Sequence, residues 1–380
     1  MSQPLYPALI TDALRTVKYP GNGASLVDND MVADDIRIDG RKVTFSLVFD
    51  KPTDPFVKSM VRAAETAILT YVAPDVDIKG NISVTFRKPL PEKPATPLPG
   101  VRNIIGVSSG KGGVGKSTVA ANLAVALAAK GYRVGLLDAD IFGPSVPKMF
   151  GVEDEQLYMV NQDGRDWIDP VVKYGVRMLS IGFVVDRNSP VLWRGGMASN
   201  ALRQLITDAW WGELDYFLID MPPGTSDIHL TLVQTLPLTG VVVVSTPQEV
   251  ALADARKGIA MFQQDKVNVP VLGLVENMAW FTPAPHPEER YYIFGNGGAR
   301  RLAEELSLPL LAQIPLVADI CEKADGGTPV ALGLAAAADT GTPTSRNPEA
   351  EAFSALADSV VAATEARNAS LPPTSTVSTH

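Results

Sequence analysis

The sequence predicts an α/β protein, a doubly wound and mostly parallel sheet covered by helices and preceded by a small α+β domain. Three observations predict it. Short runs rich in β-branched residues, such as 103–109, 133–137 and 239–245, alternate with stretches of helical periodicity, as in sheets whose strands are buried on both faces. One of these runs passes through a glycine-rich loop straight into a helical stretch, 117–130, which Gly131 stops. Residues 89–100 are rich in proline, carry no periodicity and read as a semi-rigid linker between two domains.

Before the linker, residues 1–88 read as a small α+β unit. A short helix is expected at 8–17, a strand at 43–49, a helix at 54–73 and a second alternating stretch at 77–86. No cluster of catalytic residue types occurs in it. After the linker, residues 101–368 form the large domain, and the polar stretch 369–380 is expected to be disordered.

The loop after the first large-domain strand reads Gly110-Lys111-Gly112-Gly113-Val114-Gly115-Lys116-Ser117-Thr118. Glycines at these positions let the backbone turn its N–H groups inward around phosphate oxygens, and the next helix adds its N-terminal dipole. Lys116 is placed to bridge the outer phosphates of a nucleotide, and the Ser117 hydroxyl to ligate Mg²⁺. Lys111, directly after the first glycine, resembles the extra lysine of deviant P-loop NTPases. That resemblance implies a reach across a dimer interface to the partner's nucleotide, and so a homodimer.

The strand at 133–137 ends in Asp138-Ala139-Asp140, at the strand end that faces the phosphate loop. Residues 138–145 resemble a switch I segment. The resemblance implies that Asp140 positions the attacking water and that Asp138 lies near Mg²⁺; the alternative is that both merely end a strand and cap the next segment. A second apolar strand, 216–219, ends in Asp220, the second acid of P-loop proteins, which holds Mg²⁺ through water. Met221-Pro222-Pro223-Gly224 follows in the position of switch II, with Asp227 read as a helix cap and His229 as structural. A later strand ends in Glu276-Asn277-Met278, where Asn277 either reads the adenine edge, by resemblance, or forms a turn. Arg194 has no assigned role.

Taken together, 110–117, 138–145, 220–227, Asn277-Met278 and Phe294-Gly295-Asn296-Gly297-Gly298 resemble the Mrp family of ATP-binding iron-sulfur cluster carriers. The N-terminal unit resembles the small domain of iron-sulfur assembly factors. The resemblance implies an ATPase that uses ATP and Mg²⁺, holds an iron-sulfur cluster and passes it to apoprotein clients alongside assembly factors. Many family members place Cys-Pro-x-Cys after the Asn-Met pair. Here the stretch is Trp280-Phe281-Thr282-Pro283-Ala284-Pro285, which offers no thiolate. His286, Glu288 and Glu289 are weaker candidate ligands, with solvated loop residues as the alternative. The single cysteine, Cys321, excludes an intramolecular disulfide and reads either as a small buried hydrophobe or as a cluster ligand supplied once per subunit.

A net charge of −9 argues against an extended nucleic-acid surface and against an anionic membrane. The helical stretch 348–367 is too acidic for a membrane-binding amphipathic helix, and no run approaches a membrane span, so the chain is expected in the cytoplasm. A partitioning or positioning ATPase and a nucleotide-switched scaffold without metal cargo are the competing readings.

Overall fold

The computed structural model describes residues 5–20, 22–49, 54–86, 97–141, 143–162, 164–184, 195–283, 286, 288–334, 348–374 and 376. The chain divides into two compact units, Met1–Lys93 and Pro94–His380. Most of the linker reading, and Arg194, lie outside the described residues.

In the first unit, the alternation of Val43, Phe45, Leu47 and Phe49 puts four buried side chains on one face of strand β2 (Lys42–Phe49). They share a core with Met60, Ala64, Ala67 and Ile68, the buried stripe of helix α2 (Val57–Tyr71), and with helix α1 (Pro7–Leu14). Strand β1 (Arg37–Asp39) pairs antiparallel with β2, and β3 (Ile82–Phe86) pairs parallel with it. The alternation from residue 77 is not one strand. Asp77 makes a single bridge opposite Lys42, and a turn with Gly80 at φ 74° intervenes before β3 begins.

The second unit is built on eight strands. In chain order they are β4 (Val101–Ser109), β5 (Val134–Asp138), β8 (Val171–Lys173), β9 (Val176–Ser180), β10 (Leu214–Asp220), β11 (Gly240–Ser245), β12 (Val271–Glu276) and β13 (Leu310–Gln313). Their order in the sheet is β13-β12-β11-β4-β10-β5-β9-β8, parallel throughout except for the edge strand β8. Two other strands, β6 (Tyr158–Gln162) and β7 (Arg165–Asp169), form a separate hairpin turned by Gly164 at φ 79°. Sequence reasoning did not find this hairpin, because neither strand has a buried face to create a hydrophobic alternation.

Helices cover both faces. Helices α3 (Lys116–Ala129), α4 (Val146–Phe150) and α10 (Pro348–Ser370) contribute to one core. Helices α5 (Gly195–Thr207), α6 (Asp227–Thr235), α7 (Glu249–Gln263) and α8 (Gly298–Glu305) supply the other; α9 (Ala318–Asp325) buries no residue fully. α3 is buried around its whole circumference from Val119 to Leu127, because α10 lays Phe353, Leu356, Ala357 and Val360 over the side turned away from the sheet. α10 runs past residue 368, and beyond it Arg367 donates to the Pro372 carbonyl and the Thr374 hydroxyl to the Pro237 carbonyl; residues 375 and 377–380 lie outside the described residues. No described helix is long and apolar enough to cross a membrane.

The crossover after β4 leads to β5 on one side, and the one after β10 leads to β11 on the other. Diverging crossovers leave a crevice at the carboxyl ends of β4 and β10, where α/β sheets take ligands.

Candidate nucleotide site

The loop between β4 and α3 lies in that crevice. Gly113 and Gly115 sit at φ 82° and 81°, the left-handed region that a side chain resists. A Cβ on Gly112 or Gly113 would meet nothing within 4 Å, so the loop is open on the side a phosphate would enter. Its other side is closed. A Cβ on Gly110 would fall 2.1 Å from the Asp254 carbonyl carbon, so α7 can approach only a glycine, and one on Gly115 would fall 2.2 Å from Asn277 Nδ2. Gly115 is also the N-cap of α3, so no side chain takes the first amides of that helix.

Lys116 turns inward and is only 5 % exposed. Its Nζ lies 2.5 Å from Asp220 Oδ1, 3.2 Å from Ser117 Oγ and 3.6 Å from Asp140 Oδ2. Asp220 Oδ2 is buried and has no hydrogen-bond partner among the described residues, a vacancy that suits a cation or the water bound to one. Asp138 is the register partner of Asp220 across β5 and β10. Its oxygens are already engaged, Oδ1 by the Asp140 N–H at 3.2 Å and Oδ2 by the Val146 N–H at 3.2 Å and the Ser180 hydroxyl at 2.9 Å. Asp138 therefore holds the backbone at Asp140 and at Val146 in place. Burial and the neighbouring Asp220 charge push its carboxyl up to about 7. Burial also raises Asp220, against the opposing pull of Lys116.

The segment after β10 is tied to the strand that leads into the glycine loop. Met221 N donates to the Val107 carbonyl at 3.0 Å and Gly224 N to the Ser109 carbonyl at 2.9 Å, with Gly224 at φ 78°. The cap of α6 is Ser226, and Asp227, expected to cap it, is the first helical residue. His229 completes a reciprocal capping box, its Nδ1 accepting from the Ser226 N–H at 3.2 Å. The ring is 1 % exposed, and burial pulls its pKa down to about 4.

Asn277 braces the loop from β12, its Nδ2 donating to the Val114 carbonyl at 2.8 Å. Glu276, which sequence reasoning missed, is fully buried; it accepts from Ala299 N at 2.7 Å and from Gln313 Nε2 at 2.6 Å, and so fixes the start of α8. The signal was an acid ending a strand, the same one that singled out Asp220.

The structure thus brings Lys116, Ser117, Asp140 and Asp220 together, with Asp138 and Asn277 supporting them. Thr118 follows in the first turn of α3, its carbonyl accepting from Asn122 Nδ2 at 2.9 Å. Lys111 stands apart with its side chain exposed. Cys321 is also apart, and it is exposed where a buried hydrophobe was one expectation. It lies on α9, with Sγ 3.9 Å from Asp325 Oδ2 one turn along.

Residues 8–79 match the iron-sulfur cluster assembly protein family. Among individual proteins, the chain is 44% identical over 329 residues to a Synechocystis protein named iron-sulfur cluster carrier protein, spanning 85% of this chain and 92% of that one. An Escherichia coli K12 protein of the same name is 49% identical over 259 residues, or 68% of each chain. Among solved structures, a nucleotide-binding protein from Archaeoglobus fulgidus, in complex with ADP, is 40% identical with a TM-score of 0.53, covering 60% of this chain and 88% of that one. Residues 100–360, which include every strand of the eight-stranded sheet and every residue of the Lys116 site, match the NUBPL iron-transfer P-loop NTPase family. Nucleotide hydrolysis is the general chemistry of such NTPases, and this chain belongs to that family.

Proposed function

We propose that the chain is a homodimeric ATPase that binds iron-sulfur clusters and delivers them to apoproteins in the cytoplasm, with slow hydrolysis acting as a switch. The observation that carries the nucleotide half is the buried cluster of Lys116, Asp220 and Asp140 beneath an open glycine loop. The cargo half rests on family membership and on the names of the relatives. Backbone amides from Gly110 to Thr118 would hold the phosphates with Lys116, and Asn277 would stand at the base side. Ser117 and Asp220 would hold Mg²⁺, with Asp138 behind them; the ion supplies charge neutralisation on the phosphates. Asp140 would orient water, and Lys111 would reach the partner subunit's nucleotide.

Because Gly224 is bonded to Ser109 at the foot of the phosphate loop, a change there is passed directly to the Pro222–Asp227 segment. That linkage is the route by which nucleotide state would gate cargo exchange with clients and assembly factors. The cluster is cargo, and the chain's one thiol, Cys321, would contribute one ligand per subunit.

The test is anaerobic reconstitution of the full chain, reading iron and acid-labile sulfide per dimer and transfer to an apoprotein, beside Cys321→Ser. The expected result is a transferable cluster in wild type that the variant lacks. If neither retains iron and sulfide, the carrier reading fails and a nucleotide-switched scaffold replaces it.

A further inference from the structure

The buried ring of His229 has one donor that nothing takes. A backbone N–H can only donate, so the Ser226 N–H at 3.2 Å makes Nδ1 the acceptor in the capping box of α6. A neutral imidazole carries one proton, which therefore sits on Nε2. Nε2 is buried and has no hydrogen-bond partner among the described residues. Folded proteins rarely leave such a donor, because it has given up water and gained nothing in return. The ring is held in this pose by the bond to Ser226 and by Phe262 of α7, whose ring centroid lies 6.1 Å away.

An acceptor in the same condition stands beside it. Pro222 is buried, and no hydrogen bond reaches its carbonyl among the described residues. That carbonyl lies close enough to the ring to favour a proton there, yet it forms no bond with Nε2. Pro223 has no N–H, so the peptide between the two prolines can tilt without breaking a backbone bond. On either side the segment is fixed, Met221 N to the Val107 carbonyl at 3.0 Å and Gly224 N to the Ser109 carbonyl at 2.9 Å. Both acceptors belong to β4, the strand that feeds the glycine loop. Movement at that loop reaches the Pro222–Pro223 peptide through these two bonds. Burial above all, with the Lys116 charge adding to it, keeps the ring uncharged, so it has a single N–H to give.

We propose that His229 is a positioning residue of the nucleotide switch, its Nε2–H bonding the Pro222 carbonyl in one nucleotide state and releasing it in the other. The present conformation is the released one. Closing the bond would hang both ends of the segment, Pro222 and Ser226, on one ring and so set the chain that follows Asp220. This inference rests on the proposed ATPase reading and deepens it, and it is independent of what cargo is carried.

The test uses the full chain, which holds three histidines, labelled with ¹⁵N-histidine. NMR spectra are taken without nucleotide, with Mg²⁺ and ADP, and with Mg²⁺ and a non-hydrolysable ATP analogue, and calorimetry on the same samples establishes occupancy. The expected result is one solvent-protected Nε2–H resonance, absent in His229→Gln, that moves downfield in one nucleotide state as the bond to Pro222 forms. His229→Leu, which neither accepts nor donates, should lose about tenfold in kcat with ATP affinity within about threefold of wild type. His229→Gln, whose amide does both, should restore kcat to within about threefold of wild type. A merely structural ring would lower thermal stability without that split between turnover and affinity. A proton on Nδ1, a resonance identical in all three states although nucleotide is bound, or an unchanged kcat in His229→Leu overturns the proposal. If His229→Leu does not fold, the wild-type spectra decide alone. Failure to bind either nucleotide is a different result, which overturns the ATPase reading and this proposal with it.

Discussion

Asp138 and Asp220 stand opposite each other as register partners on neighbouring parallel strands, both fully buried at the carboxyl edge of the sheet. With Asp140 they make three neighbouring carboxylates, two of which, Asp220 and Asp140, pair with Lys116. Burial first, and then the neighbouring Asp220 charge, push Asp138 up to about 7. A divalent cation carried in with nucleotide phosphates would offset that charge.

Lys116→Ala removes the buried cation and the phosphate contact together. ATP affinity should fall by about a hundredfold or more, a loss of roughly 2.7 kcal/mol or greater. Isothermal titration with ATP and Mg²⁺ checks it, and wild-type affinity in the variant would sink the phosphate-loop assignment.

Lys111→Ala should separate binding from turnover. The side chain is exposed and outside its own chain's Lys116 cluster, so ATP binding should stay within about tenfold of wild type while hydrolysis stops. An unimpaired rate in a phosphate-release assay would remove the role across a dimer interface.

Gly110→Ala and Gly112→Ala should behave in opposite ways. At Gly110 the added carbon would press on the α7 backbone at Asp254, which cannot swing aside, so the fold should lose about 1–3 kcal/mol. At Gly112 the carbon meets nothing within 4 Å, and stability should stay within about 0.5 kcal/mol of wild type. ATP binding should nevertheless weaken there, because the methyl group enters the space left for phosphate. Thermal unfolding together with nucleotide titration distinguishes the two effects.

His229 should make stability depend on pH. Its folded pKa, about 4, lies below the ordinary histidine value of 6.5, so between these values the unfolded chain binds the extra proton and stability falls as pH drops. The slope is about 1.4 kcal/mol per pH unit from this group alone. Asp138 has the opposite sign, since its folded pKa is raised to about 7 and its contribution weakens as pH rises from 3.8 towards that value. The difference between wild type and His229→Gln, measured by denaturant unfolding from pH 7 to 5, isolates the histidine. Equal slopes in the two proteins would refute its assignment as a buried neutral ring.

Much of the fold was legible because its strands are buried on both faces. The run of Val241 to Val244 can only lie inside a sheet, and its burial is complete. The hairpin of β6 and β7 was not legible, since Tyr158 and Met159 remain about two-thirds exposed and no hydrophobic periodicity marks the strands. In the site, the spacing from Gly110 to Ser117 identified the phosphate loop, because chain-local geometry suffices when one strand, one turn and one helix do the work. The cap at Ser226 rather than Asp227, and the exposure of Cys321, depended on how α6 and α9 meet the rest of the unit.

The sequence by itself determined that a P-loop lies between a strand and a helix, that Lys116 stands at its end, and that two acids end strands beside it. All of these are encoded within a few consecutive residues, where backbone freedom and residue type are enough. Only the tertiary structure decided that Asp138 is committed to Ser180 and Val146 while Asp220 keeps an oxygen unpartnered, that Asn277 braces Val114, and that His286, Glu288 and Glu289 converge. The physical reason is that strand register, crossover direction and loop closure bring together atoms that are distant along the chain. What a buried carboxylate does depends on those neighbours, not on its own identity.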